Sequence, residues 1–145
     1  MRAALALALA LAACGSAPFL GTWRFERGEA SVVCDGGSNP ATYLLGPFRI
    51  DEGADGTLVT DYVSGCPLAL DARGDSAQLA DEAACHARLL PGDAGVPSVE
   101  AVEKVRTLTF ERLGNEALEV AYQATTVASV ASCSERASGV ARLFP

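Results

Sequence analysis

The sequence holds a single histidine, no Gly-x-Ser-x-Gly elbow, few basic side chains and no apolar run long enough to cross a bilayer as a helix. Each shortage removes a class of chemistry. A Ser-His-Asp site would rest entirely on His86, and no nucleophile elbow accompanies it. Lys and Arg total 11 against 18 Asp and Glu, a formal charge of -7. Phosphate binding needs a clustered basic face, so nucleic acid is excluded as an expected partner. The acidic residues stand singly or in pairs, the pattern of a solvated surface. His86 follows Cys85 as a haem-attachment histidine would, but position 82, where the second cysteine belongs, is Glu. His86 is therefore assigned to a loop. Asp51-Glu52-Gly53-Ala54-Asp55-Gly56 has the outline of a calcium loop, yet Gly53 occupies a ligand position and Tyr62 stands where a bidentate Glu is required. A polar hairpin turn is the reading for that stretch. The expectation is a non-enzymatic chain with no cofactor and no metal.

What is present begins with Arg2 and the run Ala3 to Ala13, which has no polar side chain. A helix needs about 20 residues to cross the hydrocarbon core, so this run reads as a helical signal peptide over residues 1–13. It ends in Leu11-Ala12-Ala13-Cys14, which resembles the lipobox of bacterial lipoproteins. Small residues give a peptidase access to the backbone beside the cysteine. The resemblance implies cleavage before Cys14, a diacylglyceryl group on its thiol and an acylated amine. The implied partner is a membrane, reached through lipid on Cys14. Each buried methylene contributes about 0.8 kcal/mol, so two or more chains make a stable anchor. In Gram-negative lipoproteins an Asp after the cysteine favours the inner membrane, and Gly15 does not carry that signal, so the resemblance points to the outer membrane. Residues 14–20 then form a tether reaching at most about 20 Å beyond the cysteine. Residues 21–145 are of a length for one domain with one core.

Cys34, Cys66, Cys85 and Cys133 remain, an even number in an exported chain, and two disulfides follow. Three pairings are open. The segment 66–71 reads as a strand, 72–75 as a turn and 76–80 as the returning strand, which brings Cys66 towards Cys85. Cys34 with Cys133 would then close a loop of about 100 residues.

From Gly21 onward the dominant period is two, the strand signature. Trp23 and Phe25, Leu108 and Phe110, and Leu118, Val120 and Tyr122 alternate with polar or small residues. Strands are expected near 21–27, 30–34, 42–50, 57–63, 66–71, 76–80, 105–113, 116–127 and 137–144, separated by Gly, Pro, Asn and Asp turn signals. Val99, Val102 and Val105 are three apart, and over 98–105 a short helix and a strand extension both stay open. The fold class is all-β: an antiparallel meander of about eight to nine strands forming a small barrel or sandwich.

Gly21-Thr22-Trp23, opening the first strand, resembles the Gly-x-Trp signature of lipocalin-like barrels. That resemblance implies that Gly21 and Trp23 are structural and that Trp23 plugs one barrel end under a basic side chain. Arg142 is the candidate cover, through a cation and ring contact. Thr60-Asp61-Tyr62 is similar to another lipocalin motif but lies too early in the chain to be equivalent. Trp23, Phe25, Phe48, Tyr62, Phe110 and Tyr122 either fill the core or line a ligand cavity. Two functions follow. One is an envelope lipoprotein whose β domain is a binding or interaction module, with another envelope protein among its candidate partners. The other is a lipocalin-like carrier of a small apolar ligand, which an open lumen lined by aromatic rings would favour.

Overall fold

A computed structural model describes residues 17–35, 41–43, 45–89, 99–128 and 131–145. The signal segment 1–13, Cys14 and the turn signals at 36–40 and 91–97 lie outside the described residues. After a 3-10 turn at Ala17–Phe19 come the strands β1 (Gly21–Cys34), β2 (Ala41–Tyr43), β3 (Phe48–Glu52), β4 (Leu58–Val63) and β5 (Cys66–Arg73). They continue as β6 (Ser76–Leu79), β7 (Ala83–Leu89), β8 (Val99–Arg112), β9 (Ala117–Ala128) and β10 (Ser132–Phe144).

The pairings are antiparallel, and β1, β3, β4, β5, β6, β8, β9 and β10 close in chain order into a barrel, with β10 back on β1. The eight strands on this path close on themselves, while among the described residues β2 and β7 are each paired on one side only. The all-β meander expected from the period of two is the fold observed, in its barrel form. β2 and β3 lie along the same edge of β1, pairing at Ala30–Val32 and Gly21–Trp23. β6 and β7 share an edge of β8 in the same way. The single strand expected over 42–50 is thus two short strands. The segment 99–105 is β-strand, the first half of β8, and His86 sits on β7 rather than in a loop.

Alternation sets the core. On β9, Leu118, Val120, Tyr122 and Ala124 are buried, while Glu119, Ala121 and Gln123 are exposed. Bulges reset this alternation on β1 between Phe25 and Arg27, and on β8 between Val105 and Thr107. One barrel end is sealed. Trp23 is 1% exposed among Phe19, Ile50, Leu58, Leu70 and Leu118, and its indole Nε1 donates to the Phe19 carbonyl at 2.9 Å. A buried indole N–H needs such a partner. Phe19, ahead of Gly21, thus closes the floor with its ring and satisfies Trp23 with its backbone. Gly21 has φ +133, and a Cβ there would stand 2.6 Å from Leu143 Cδ1, which accounts for the glycine of Gly-x-Trp.

Arg142 does not cover Trp23. On β10, Ala141 and Leu143 are the partners of Phe25 and Trp23, so Arg142 falls on the outer face, where its Nε donates to Glu26 at 2.9 Å. The cation and ring contact at this end is Arg24 over Phe144, 3.6 Å from the centroid.

The disulfides are Cys34–Cys133 and Cys66–Cys85. Cys34 and Cys133 are direct cross-strand partners of β1 and β10. Cys66–Cys85 ties the start of β5 to β7, where the ladder of β5 with β6 has already ended. Both bridges lie towards the end of the barrel opposite Trp23.

Candidate functional site

The strands that enclose the sealed floor do not rise equally. β4 turns into β5 at Ser64 and Gly65, whereas β1, β8, β9 and β10 run on to Cys34, Val99, Ala128 and Ser132. The open end thus has a low rim on one side and a tall curved wall on the other. Between them is a solvent-open cavity of about 460 Å³, bounded by Phe25, Tyr62, Glu103, Tyr122 and Glu135, with Leu45 to Pro47 and Val63 to Gly65 at the rim.

Its base is a layer of rings. Phe48 and Phe110 stack at 5.2 Å between centroids, Tyr62 meets Phe48 at 5.5 Å, and Tyr62 meets Tyr122 at 5.0 Å. Such pairs contribute about 0.5–1.5 kcal/mol each beyond area burial. The choice left open for the six aromatic residues is therefore split. Trp23, Phe48 and Phe110 are core, while Phe25, Tyr62 and Tyr122 are core on one side and cavity lining on the other.

Tyr62 owes its aim to its neighbours. The ladder of β4 shifts between Thr60 and Val63, and the buried Thr60 hydroxyl donates to the Arg49 carbonyl and accepts the Tyr62 N–H. Asp61 accepts the Arg49 N–H at 2.6 Å. Thr60 and Asp61 thus hold the distorted strand that turns Tyr62 inward.

Besides Asp61, two carboxylates line the same space, and neither stands out in the sequence. Beyond the β8 bulge the inward positions are Val105, Glu103 and Ala101, so Glu103 enters the lumen and accepts the Tyr122 hydroxyl hydrogen bond. On β10, Ala141 and Ala137 are buried and Glu135 follows on that face. Burial raises the Glu135 pKa above the usual carboxylate value. Burial first, and the negative charge of Glu103 second, push Tyr62 up to about 12. Tyr122 is raised by burial, by its hydrogen bond to Glu103, and by the charge of Glu103 and its coupling to Tyr62. Both phenols are neutral donors at physiological pH, and no Lys, Arg or His is among the described residues that line the cavity.

Other sequence candidates stay apart. His86 is exposed on β7 beside the buried, disulfide-bonded Cys85. Asp51 binds Arg49 Nε at 2.7 Å, and Ala54–Gly56 forms a 3-10 turn with Asp55 at φ 58, so this stretch is a hairpin turn at the sealed end. Among the described residues no group of three or more His, Cys, Asp or Glu side chains is placed to hold a metal ion. A second hollow, of about 430 Å³, opens on the outer face and carries both signs of charge in Glu29 and Arg136. No family model, curated protein or solved structure matches the chain.

Proposed function

We propose that this chain is a lipid-anchored protein of the bacterial envelope whose barrel binds a small molecule at its open end and performs no catalysis. The observation that carries the reading is the cavity of about 460 Å³ over the rings of Tyr62 and Tyr122. Small-molecule sites are concave, roughly 300–1,000 Å³, mostly apolar and furnished with a few convergent polar groups. This cavity falls in that size range and has ring faces at its base, with Glu103, Glu135 and two phenols making its lining more polar than apolar. This favours a carrier or receptor over a surface that docks protein.

The lipobox residues Leu11-Ala12-Ala13-Cys14 support the anchor. Only Gly15 and Ser16 separate Cys14 from the packed 3-10 turn, a span of at most about 10 Å. Lipid on Cys14 would hold the sealed floor against the bilayer and turn the cavity towards the aqueous side.

The test is calorimetric titration of the full-length chain in nanodiscs, against empty nanodiscs, with three indole probes that differ in charge: tryptammonium, tryptophol and indole-3-propionate. Binding of at least one probe, lost on Ser64→Trp at the rim and on Tyr62→Ala at the base, supports the reading; no heat from any of them sinks it. For the anchor, fatty-acid labelling in cells should mark the wild type and not Cys14→Ser. Equal labelling of both removes the membrane from the reading.

A further inference from the structure

We propose that the sealed end of the barrel is a membrane-contacting face, on which Leu113, Leu143 and Phe144 enter the interfacial layer of the bilayer that holds the lipid of Cys14. The proposal rests on the anchor described above and adds a second, non-covalent contact to it. The first argument is placement. Among the described residues the exposed large apolar side chains are Val33, Leu113, Val127, Leu143 and Phe144. Val33 and Val127 lie near the mouth ends of β1 and β9, and the other three lie at the floor. The Leu143 N–H donates to the Glu116 carbonyl at 3.0 Å and the Leu113 N–H to the Ala117 carbonyl at 2.9 Å, so the two leucines flank the start of β9. Strands lie about 4.8 Å apart, which puts their backbones roughly 10 Å from each other. Phe144 follows Leu143 and pairs with Thr22 of β1.

The second argument is the division of the floor into two sides. The ends of β8, β9, β10 and β1 are neighbours there, and the β3–β4 and β5–β6 turns occupy the other side. The apolar trio is confined to the first side, where the 3-10 turn Ala17–Phe19 leads into β1. The second side exposes Glu52, Asp55 and Asp75, carboxylates that are best left in water. On the first side Arg24 lies over the Phe144 ring, 3.6 Å from its centroid. A guanidinium is weakly hydrated, pairs with phosphate and lays its stem along apolar surface, so Arg24 over Phe144 suits the headgroup layer.

The third argument is the tether. Three partly exposed side chains are too few to hold a free protein on a bilayer, and apolar residues scattered on a surface need no partner. Here Gly15 and Ser16 alone separate Cys14 from Ala17, a reach of at most about 10 Å. Lipid on Cys14 makes the second contact intramolecular, at an effective concentration on the order of millimolar. Under that condition a small apolar patch suffices to decide which side of the barrel faces the lipid.

The full-length protein in phosphatidylcholine nanodiscs, with and without bromine on the upper acyl chains, tests this. Tryptophan is introduced by Leu113→Trp, Phe144→Trp, Val33→Trp or Val127→Trp, and the emission each adds to that of Trp23 is measured. Phe144→Trp keeps a ring under Arg24. An interfacial apolar face sits about 5–10 Å into the headgroup and acyl boundary, so brominated lipid should quench Leu113→Trp and Phe144→Trp at least about twofold and leave Val33→Trp and Val127→Trp unchanged. The tether alone would bring Phe144→Trp near the lipid, so Leu113→Glu combined with Phe144→Trp is the deciding variant. It leaves the tether intact and should remove most of the quenching, with an unchanged far-ultraviolet circular dichroism spectrum confirming the fold. Quenching that survives Leu113→Glu, no quenching at 113 and 144, or stronger quenching at 33 and 127 overturns the membrane face and leaves the anchor standing, because fatty-acid labelling of Cys14 reports on the anchor independently. A chain that takes up no label and is not retained in nanodiscs brings down both.

Discussion

The floor and the mouth of this barrel are built from the same strands and held by different means. At the floor, Phe19, Trp23, Ile50, Leu58, Leu70 and Leu118 are fully buried or nearly so, and no disulfide is present there. At the mouth the inner face carries Glu103, Glu135, Tyr62 and Tyr122 around open space, and both disulfides are found on that side. Packing holds the half that is filled, and covalent bonds hold the half that is hollow. A cavity removes the contacts that would otherwise fix its walls, and a cross-link restrains those walls without occupying the space.

The largest expected effect therefore belongs to the floor. Trp23→Ala should lower unfolding free energy by about 3–5 kcal/mol, the usual range for truncating a buried Trp or Phe. Chemical denaturation of the full-length chain measures it. A loss below about 1 kcal/mol would mean that the mouth, not the floor, is the stable half.

Next comes the covalent half. Cys66 and Cys85 are separated by 19 residues, and a loop of that size is worth about 3 kcal/mol in the chain-entropy model. Cys66→Ser with Cys85→Ser should cost that much or less, and its imprint should be local. Amide hydrogen exchange should accelerate in β7 and at the β4–β5 turn while Leu118 and Val120 stay protected. Equal acceleration in both halves would show that floor and mouth open as one unit.

The difference between the halves also explains what was legible in the sequence. The floor follows simple rules: Trp23 sits in a recognisable tripeptide, and Leu108, Phe110, Leu118 and Val120 alternate without interruption on strands expected within a few residues of where they lie. The Cys66–Cys85 bridge is legible in the sequence because a readable hairpin lies between the two cysteines. The mouth breaks those rules. Extending the alternation back from Leu108 puts Glu103 outside, and only the bulge between Val105 and Thr107 brings it in. Val99, Val102 and Val105 lie on one strand, where a spacing of three gives Val102 the opposite parity to the buried Val105, so they form no common helical face. On β10 the inner face reads Ala141, Gly139, Ala137, Glu135, residues too small or too polar to announce a buried face. Arg142 departs from its expected place for a related reason. Its place near the chain end matched the family pattern, but its parity on β10 is the outer one.

A smaller effect separates the halves by pH. Burial raises the Glu135 pKa from the ordinary 4.5, so the folded protein holds that proton more tightly than the unfolded chain. The stabilising contribution of this group is complete below the unfolded value and is lost as pH rises through the folded one. On denaturation between pH 4 and 7, Glu135→Gln should flatten the pH dependence and raise stability at neutral pH. Glu103, Asp61, Tyr62 and Tyr122 also face this space; the tyrosines stay neutral throughout that range, since Tyr62 is pushed up to about 12. A slope identical in Glu135→Gln and wild type would show that the carboxylate does not feel the mouth as a desolvating site.

The smallest effect is expected at the outer surface of the floor, at Arg142. If Arg142 covered Trp23, its removal would cost about 0.5–2 kcal/mol from the cation and ring contact alone, and would expose the indole. The observed geometry gives a different account. Arg142 and Trp23 lie on opposite faces of the sheet, because Leu143 is the residue that pairs with Trp23. The side chain of Arg142 is 58% exposed and that of Glu26 is 52% exposed in their ion pair. Exposed pairs of this kind contribute about 0–1 kcal/mol and are screened by salt. Arg142 also stands directly across from Arg24, a like charge on the neighbouring strand, and like charges opposite one another in a sheet offset part of what the Glu26 pair gives. Arg142→Ala should therefore change stability by less than about 0.5 kcal/mol and leave Trp23 fluorescence at its buried emission maximum. Whatever small loss appears should vanish in high salt. A red-shifted emission, or a loss above about 1 kcal/mol that persists in high salt, would show that the floor depends on its outer face as well as on the packing within it.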